Sequence, residues 1–292
     1  MEQRRWAGST FGNGWMHGQL IRVLRHIDVR ILYVFAGIFI VPVCLLINPS
    51  RRTAYSFYHN KLGYGRFRSA RATYRNHYMF ATAIIDRFAM YAGKNFNVRV
   101  EGLDVFNGLA EGEDGFVQLS SHIGNYEIAG YSLVSDRKAI NAVVFAGEKA
   151  SVMENRNSMF VRTNIRMIPV RTDMSHLFEI NNALAAGEIV SFPADRHMGD
   201  SRRVECMFLG EKAEFPQGPF STAAMRGLDV IAVNVMKERN GEYTIYVTPL
   251  RYDRNLPRKE QIRQLSEAYV AELEKRVRQY PEQWYNFFDF WK

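Results

Sequence analysis

Among the seven histidines of this 292-residue chain, one has a carboxylate five positions on: His122 with Glu127, in Ser121-His122-Ile123-Gly124-Asn125-Tyr126-Glu127. Seven histidines and thirty acids make one such spacing no more than chance expects, so its surroundings carry the reading. Residues 115–121 read as a buried strand that ends at His122, Gly124 and Asn125 make a turn, and an amphipathic helix follows. A histidine at the carboxyl end of a strand in an α/β sheet sits where such folds place their sites. A carboxylate in the next helical turn can fold back on the ring, accept from one ring N–H and leave the other nitrogen as a base. On residues alone, a histidine that merely caps its strand by hydrogen bonds fits equally well. A base with no nucleophile of its own points to a substrate that brings one, typically a hydroxyl. The chain holds no Gly-x-Ser-x-Gly elbow, HExxH or Walker A run, and its other histidines are scattered, so no metal is expected. Cys44 and Cys206 are too few for a disulfide framework or a four-cysteine zinc site and read as free thiols.

The elements that must position His122 lie beyond residue 96. Strands are expected over 97–100, 116–120, 142–145, 166–170, 189–193, 230–237 and 242–249. Helices are expected over 126–134, 151–161, 175–186, 220–226 and 259–280. That alternation predicts an α/β fold with a mainly parallel central sheet flanked by helices and a long C-terminal helix. The last two strands, joined through Asn240-Gly241, read as an antiparallel hairpin. The aromatic tail, residues 284–291, belongs either in the core or at a lipid interface.

Composition excludes disordered and low-complexity classes: 47% of residues are apolar and 23% charged. The net charge of +8 is concentrated. Residues 1–75 carry twelve Arg/Lys against two acids, a balance of +10, which leaves −2 for the other 217 residues. The same quarter holds seventeen uncharged residues, 31–47, broken by Pro42. A core helix explains the apolar run and a nucleic-acid patch explains the charge. An anionic membrane surface explains both, so no nucleic-acid partner is expected. Residues 53–92 read as one long helix with an apolar stripe through Phe67, Ala70, Tyr74, Tyr78, Ala81, Ile85 and Phe88. Residues 1–95 are thus expected to form a basic, membrane-associating helical region with an N-terminal anchor helix. Residues 96–292 are expected to form the catalytic domain.

The segment around His122 resembles the His-x4-acid motif of the glycerolipid and lysophospholipid acyltransferase superfamily. Its Gly-Asn-aromatic-Glu form is most similar to the branch of the late lipid A (lauroyl/myristoyl) acyltransferases. Ile168-Pro169-Val170-Arg171 resembles the second block, and Phe192-Pro193-Ala194-Asp195 with Gly199 resembles the third. Phe208-Leu209-Gly210 and 215–219 continue in the manner of that branch. The third block lacks the Glu-Gly-Thr-Arg run of glycerol-phosphate acyltransferases, which argues against glycerol 3-phosphate as acceptor. Residues 231–234 lack the proline common in the fourth block.

The resemblance implies transfer of a fatty acyl group from an acyl thioester, of acyl carrier protein or coenzyme A, to a hydroxyl of a membrane lipid, with no cofactor. It implies His122 as general base with Glu127 holding its ring. It implies oxyanion donors at the backbone of 123–125 and the Asn125 amide, and Arg171 on an anionic headgroup. Asp195 would orient Arg171 or a substrate hydroxyl, while Arg196, Arg202 and Arg203 lie in a polar loop. A cytoplasmic donor implies the cytoplasmic face of a bacterial inner membrane. The alternative is a non-catalytic lipid-binding or scaffold protein, for which an intact His122–Glu127 pair would be superfluous.

Overall fold

The computed structural model describes residues 14–145, 164–196, 201–239, 241–288 and 290–291. The helix expected over 151–161, Asn240 and Gly199 lie outside them. The strands are β1 (Asn97–Glu101), β2 (Phe116–Ser120), β3 (Ile140–Phe145), β4 (Ile165–Val170), β5 (Ile189–Pro193), β6 (Arg203–Phe208), β7 (Glu211–Pro216), β8 (Val230–Arg239) and β9 (Glu242–Leu250). Seven form one sheet in the order β1-β9-β8-β2-β5-β3-β4, and β6 with β7 forms a separate antiparallel hairpin. Within the large sheet only β8 and β9 pair antiparallel, as the hairpin expected there. β2 and β5 are near-continuous runs of apolar residue because helices cover both sheet faces.

The helices are α1 (Gly14–His26), α2 (Val29–Phe35), α3 (Val41–Ile47), α4 (Ser50–Ser56), α5 (Arg66–Tyr91), α6 (Leu103–Glu111), α7 (Ala129–Ser132), α8 (His176–Ala185), α9 (Gln217–Arg226) and α10 (Arg258–Gln279). One face of the sheet packs with residues of α8, α9 and α10 and with Trp284 and Phe290 of the tail. The other packs with residues of α6 and α7 and with Met90 of α5. The aromatic tail therefore belongs to the core. Trp284, Tyr285 and Phe290 are buried, and Trp284 meets Phe57, Phe208 and Phe290 ring to ring.

Three local expectations change. The single helix over 53–92 is two helices, because α4 runs into a π-turn (Phe57–Lys61) and the chain turns through Gly63 at φ +67° before α5. The apolar stripe is not the buried face of the first half of α5. Phe67 is 85% exposed, while Ser69, Thr73, Asn76 and His77 are buried. Those polar groups face backbone that needs partners: the Asn76 amide donates to the carbonyls of Glu282 and Trp284, each at 3.0 Å. Arg203 opens β6 instead of lying in a polar loop; its strand alternates, with Cys206 and Phe208 inward and Arg203, Glu205 and Met207 outward.

Val29–Ile47 is helical throughout, 19 residues and about 28 Å, long and apolar enough to cross a membrane. A π-turn (Ala36–Ile40) immediately precedes Pro42, and there the Val41 N–H bonds to Ala36. The wider turn accommodates a proline that would otherwise break the ladder. One side of this helix lies on α5. The Tyr74 hydroxyl donates to the Gly37 carbonyl at 2.9 Å, and Gly37 is a glycine because a Cβ would press into the Tyr78 ring. The other side, Ile31, Val34, Ile38, Phe39, Leu46 and Ile47, is exposed.

A buried charge cluster joins this helix to the sheet. Asp86 of α5 accepts from the hydroxyls of Tyr33 and Tyr243 and from the Lys237 ammonium, the last at 2.6 Å. Asp86 and Lys237 are both buried, a placement tolerated because each carboxylate oxygen is satisfied.

Candidate active site

The turn after β2 is held from two sides. The Gly124 N–H donates to the Gln283 carbonyl at 2.8 Å and the Tyr285 N–H to the His122 carbonyl at 3.2 Å, so the C-terminal segment lies along the turn as a strap. On the other side the Asn125 N–H donates to the Val235 carbonyl at 2.9 Å. Gly124, at φ +61°, is required there because a Cβ would overlap the Val235 carbonyl. The backbone donors of Gly124 and Asn125 are thus committed, and the expected oxyanion role for them does not hold. The Asn125 side chain is buried, with its amide nitrogen 3.4 Å from the Ala83 carbonyl of α5.

His122 meets a carboxylate, but not the one its spacing suggested. β2 and β5 pair in parallel with Ser120 opposite Pro193, so two residues on, His122 stands opposite Asp195. One Asp195 oxygen is 2.8 Å from His122 Nδ1 and the other accepts the His122 main-chain N–H at 2.9 Å. An ionised carboxylate only accepts, so the Nδ1 facing it carries a proton, and in the neutral ring Nε2 is the nitrogen that holds the lone pair. Nε2 has no hydrogen-bond partner among the described residues, and the side chain is 27% exposed. The Tyr126 ring packs edge-on against the imidazole. Burial opposes ionisation of Asp195, yet the His122 ring and N–H, with the nearby Arg196 charge, hold its carboxyl below the ordinary range.

Glu127 has a different place. Its carboxylate forms an ion pair with Arg87 at 2.9 Å and accepts from the Tyr91 hydroxyl at 2.8 Å, both on α5. It therefore clamps the helical region onto the His122 turn, while Asp195 takes the ring contact expected of Glu127. Removing one partner of a buried ion pair costs about 3–5 kcal/mol. Glu127→Ala is accordingly expected to lower unfolding stability on that scale, with activity falling only as the folded fraction falls. Denaturant unfolding followed beside initial rates checks this; a large rate loss at full stability would give Glu127 a chemical role.

Arg171 is not brought to His122. It follows β4, three strands from β2, which at the usual strand spacing is about 14 Å away. There it is half-exposed, pairs with Glu179 and donates to Ser175 Oγ at 3.2 Å. Asp195 consequently orients His122 and not Arg171. Arg196, expected in a polar loop, donates to the Tyr285 carbonyl at 2.6 Å and lies over the Phe288 ring. It fastens the strap beside Asp195. Arg87, Tyr91, Arg196 and the strap residues carry no motif signal, because each acts through contacts dozens of residues away in sequence.

The described residues contain no cluster of His, Cys, Asp or Glu able to hold a metal. No curated protein matches this chain. Among solved structures, the 1-acyl-sn-glycerophosphate (LPA) acyltransferase PlsC from Thermotoga maritima is similar over 93% of this chain and 99% of that one. The identity is 15% and the TM-score 0.39, too distant to bear on the site. The family described as bacterial lipid A biosynthesis acyltransferase matches residues 69–292. That match takes in most of α5, the His122 turn, Glu127, Asp195 and the strap, and the chain belongs to the bacterial lipid A biosynthesis acyltransferase family.

Proposed function

We propose that this acyltransferase moves a fatty acyl group from the thioester of acyl carrier protein or coenzyme A to a lipid hydroxyl, with His122 as general base. The observation that carries the reading is the free Nε2 of a ring whose Nδ1 is fixed by buried Asp195. Nε2 takes the hydroxyl proton as the oxygen attacks the thioester carbonyl. The tetrahedral oxyanion then collapses, the C–S bond breaks, and the imidazolium returns its proton to the departing thiolate. No serine or cysteine of the protein enters the chemistry. Asp195 stabilises the transient imidazolium because its carboxylate is already ionised and in contact.

Membrane attachment follows from the exposed apolar side of Val29–Ile47 and the +10 charge of residues 1–75. The helix enters the acyl region and the arginines meet anionic headgroups. The acceptor lipid then arrives laterally, and a cytoplasmic donor sets the catalytic part on the cytoplasmic face of the inner membrane.

The test uses membranes containing the full chain, a bacterial lipid extract, and isotopically labelled acyl-carrier-protein or acyl-CoA thioesters. A lipid heavier by one labelled acyl group is expected, its mass identifying the acceptor and the productive thioester identifying the donor. Release of labelled free fatty acid alone would make water the acceptor and overturn the transfer reading.

A further inference from the structure

The strap holds the His122 turn by its main chain, and the side chain of Gln283 adds a second grip. β2 ends at Ser120 while β8 runs on to Arg239. The register sets Leu119 against Ala232, so the far part of β8 extends past the end of β2. There the main-chain groups of Val235 and Lys237 on the edge turned toward β2 are met by other partners. The Val235 carbonyl takes the Asn125 N–H at 2.9 Å. Gln283 Oε1 accepts the Lys237 N–H at 2.9 Å, and its Nε2 donates to the Lys237 carbonyl at 2.7 Å. A primary amide offers an acceptor beside a donor, so this side chain does what a neighbouring strand would do for that edge. Gln283 and Lys237 are both buried, where an unpaired main-chain group is costly.

These bonds close a ring. The Gly124 N–H donates to the Gln283 carbonyl and the Gln283 side chain grips Lys237. Two residues back along β8, Val235 accepts from Asn125, the residue after Gly124. Lys237 is itself anchored, because its ammonium is held by buried Asp86 at 2.6 Å. Asp86 also accepts from the Tyr33 hydroxyl, which ties the ring to α5 and to the apolar helix.

His122 depends on that ring for its place. Its carbonyl accepts the N–H of Tyr285, two residues after Gln283, while its imidazole meets Asp195, which follows β5. The two supports come from different parts of the chain, and the 2.8 Å contact at Nδ1 lasts only while they stay in register. Proton transfer at Nε2 is sensitive to about 1 Å of misplacement.

We propose that Gln283 is a positioning residue for acyl transfer: its side-chain amide joins the strap to β8 and so fixes the His122 turn against Asp195. It acts through His122 and touches no reacting atom, and its role rests on the reading of His122 as the base.

Gln283→Met tests this, because methionine keeps the length and most of the volume of glutamine and makes neither bond. Leu184→Ala is the control. Leu184 is buried and lies beside Gly115, at the opposite end of β2 from His122, so its truncation lowers stability away from the turn. Rates are measured on the full chain in membranes with the productive labelled thioester and are expressed per folded molecule. Gln283→Met is expected to lower kcat at least about tenfold while KM for the thioester stays within about twofold. It is also expected to move the His122 Nδ1 signal in nitrogen NMR of labelled histidine. Leu184→Ala is expected to change neither, even where its unfolding midpoint falls as far.

A wild-type kcat or an unmoved His122 signal in folded Gln283→Met would overturn the proposal. The same losses in Leu184→Ala would also overturn it, by reducing Gln283 to one contributor to stability among many. A raised KM at unchanged kcat would put Gln283 on the substrate instead. His122→Ala, measured alongside, keeps the two readings apart. Full activity there removes the base and this role with it, whereas full activity in Gln283→Met alone removes only the role of Gln283.

Discussion

His122→Ala is expected to lower acyl transfer by about 10²–10⁴-fold, the contribution of a positioned general base. The same substitution also strips a buried carboxylate of its ring partner, so it mixes chemistry with stability. His122→Asn separates the two: its amide nitrogen stands near the Nδ1 position and can still donate to Asp195, while nothing replaces Nε2. Equal rate losses with full unfolding stability only in His122→Asn are the expected pair of results. The wild type should also show a pH signature. The Asp195 carboxyl is held below its ordinary value, about 3.9 in an unfolded chain. Between its folded and unfolded values the unfolded chain binds the additional proton, so stability rises with pH across that window. The contribution is complete above the unfolded value and is lost as pH falls through the folded one. In His122→Ala burial opposes ionisation with less to offset it, and this acid-side gain should shrink. Rates unchanged in both variants would remove His122 as the base.

Asp195→Asn carries the second large effect, roughly 10²–10⁴-fold in turnover. Asp195 performs two acceptances at once, from Nδ1–H and from the His122 main-chain N–H. An amide has one oxygen and cannot perform both. If the oxygen stays on the main chain, the NH₂ group meets Nδ1 and forces the proton to Nε2, which destroys the base. If the amide turns, a buried main-chain N–H faces another donor. The ring tautomer, read by nitrogen NMR of labelled histidine, should shift to Nε2–H or become mixed. KM should change little, because Asp195 is buried and acts through His122. A large KM change with an unaltered tautomer would instead place Asp195 on the substrate.

These two variants and Glu127→Ala also divide what was legible in the sequence from what was not. The strand–helix alternation, the hairpin of β8 and β9, the long helix α10 and the apolar helix all follow from local period and composition, and each is present. The position of His122 at the end of β2 follows in the same way. Glu127 was the natural ring partner because it is five residues away, inside the reach of one turn. Local proximity did not decide the contact: the turn is narrowed to a 3₁₀ segment, Tyr126–Ile128, and Glu127 is drawn to Arg87 and Tyr91. The buried half of α5 is hidden in the sequence for a related reason. Ser69, Thr73 and Asn76 look like a solvent face until the carbonyls of the C-terminal segment are laid against them.

By itself, then, the sequence determined the fold class, the strand end that presents a histidine, and a basic apolar segment suited to a membrane. Those are encoded among near neighbours, where side-chain period and charge are enough. The tertiary structure alone decided which acid touches His122, because that rests on β2 pairing with β5 across 73 residues of chain in the register that sets Ser120 against Pro193. Strand adjacency and register are settled by how whole helices and strands pack, a property that no local pattern carries.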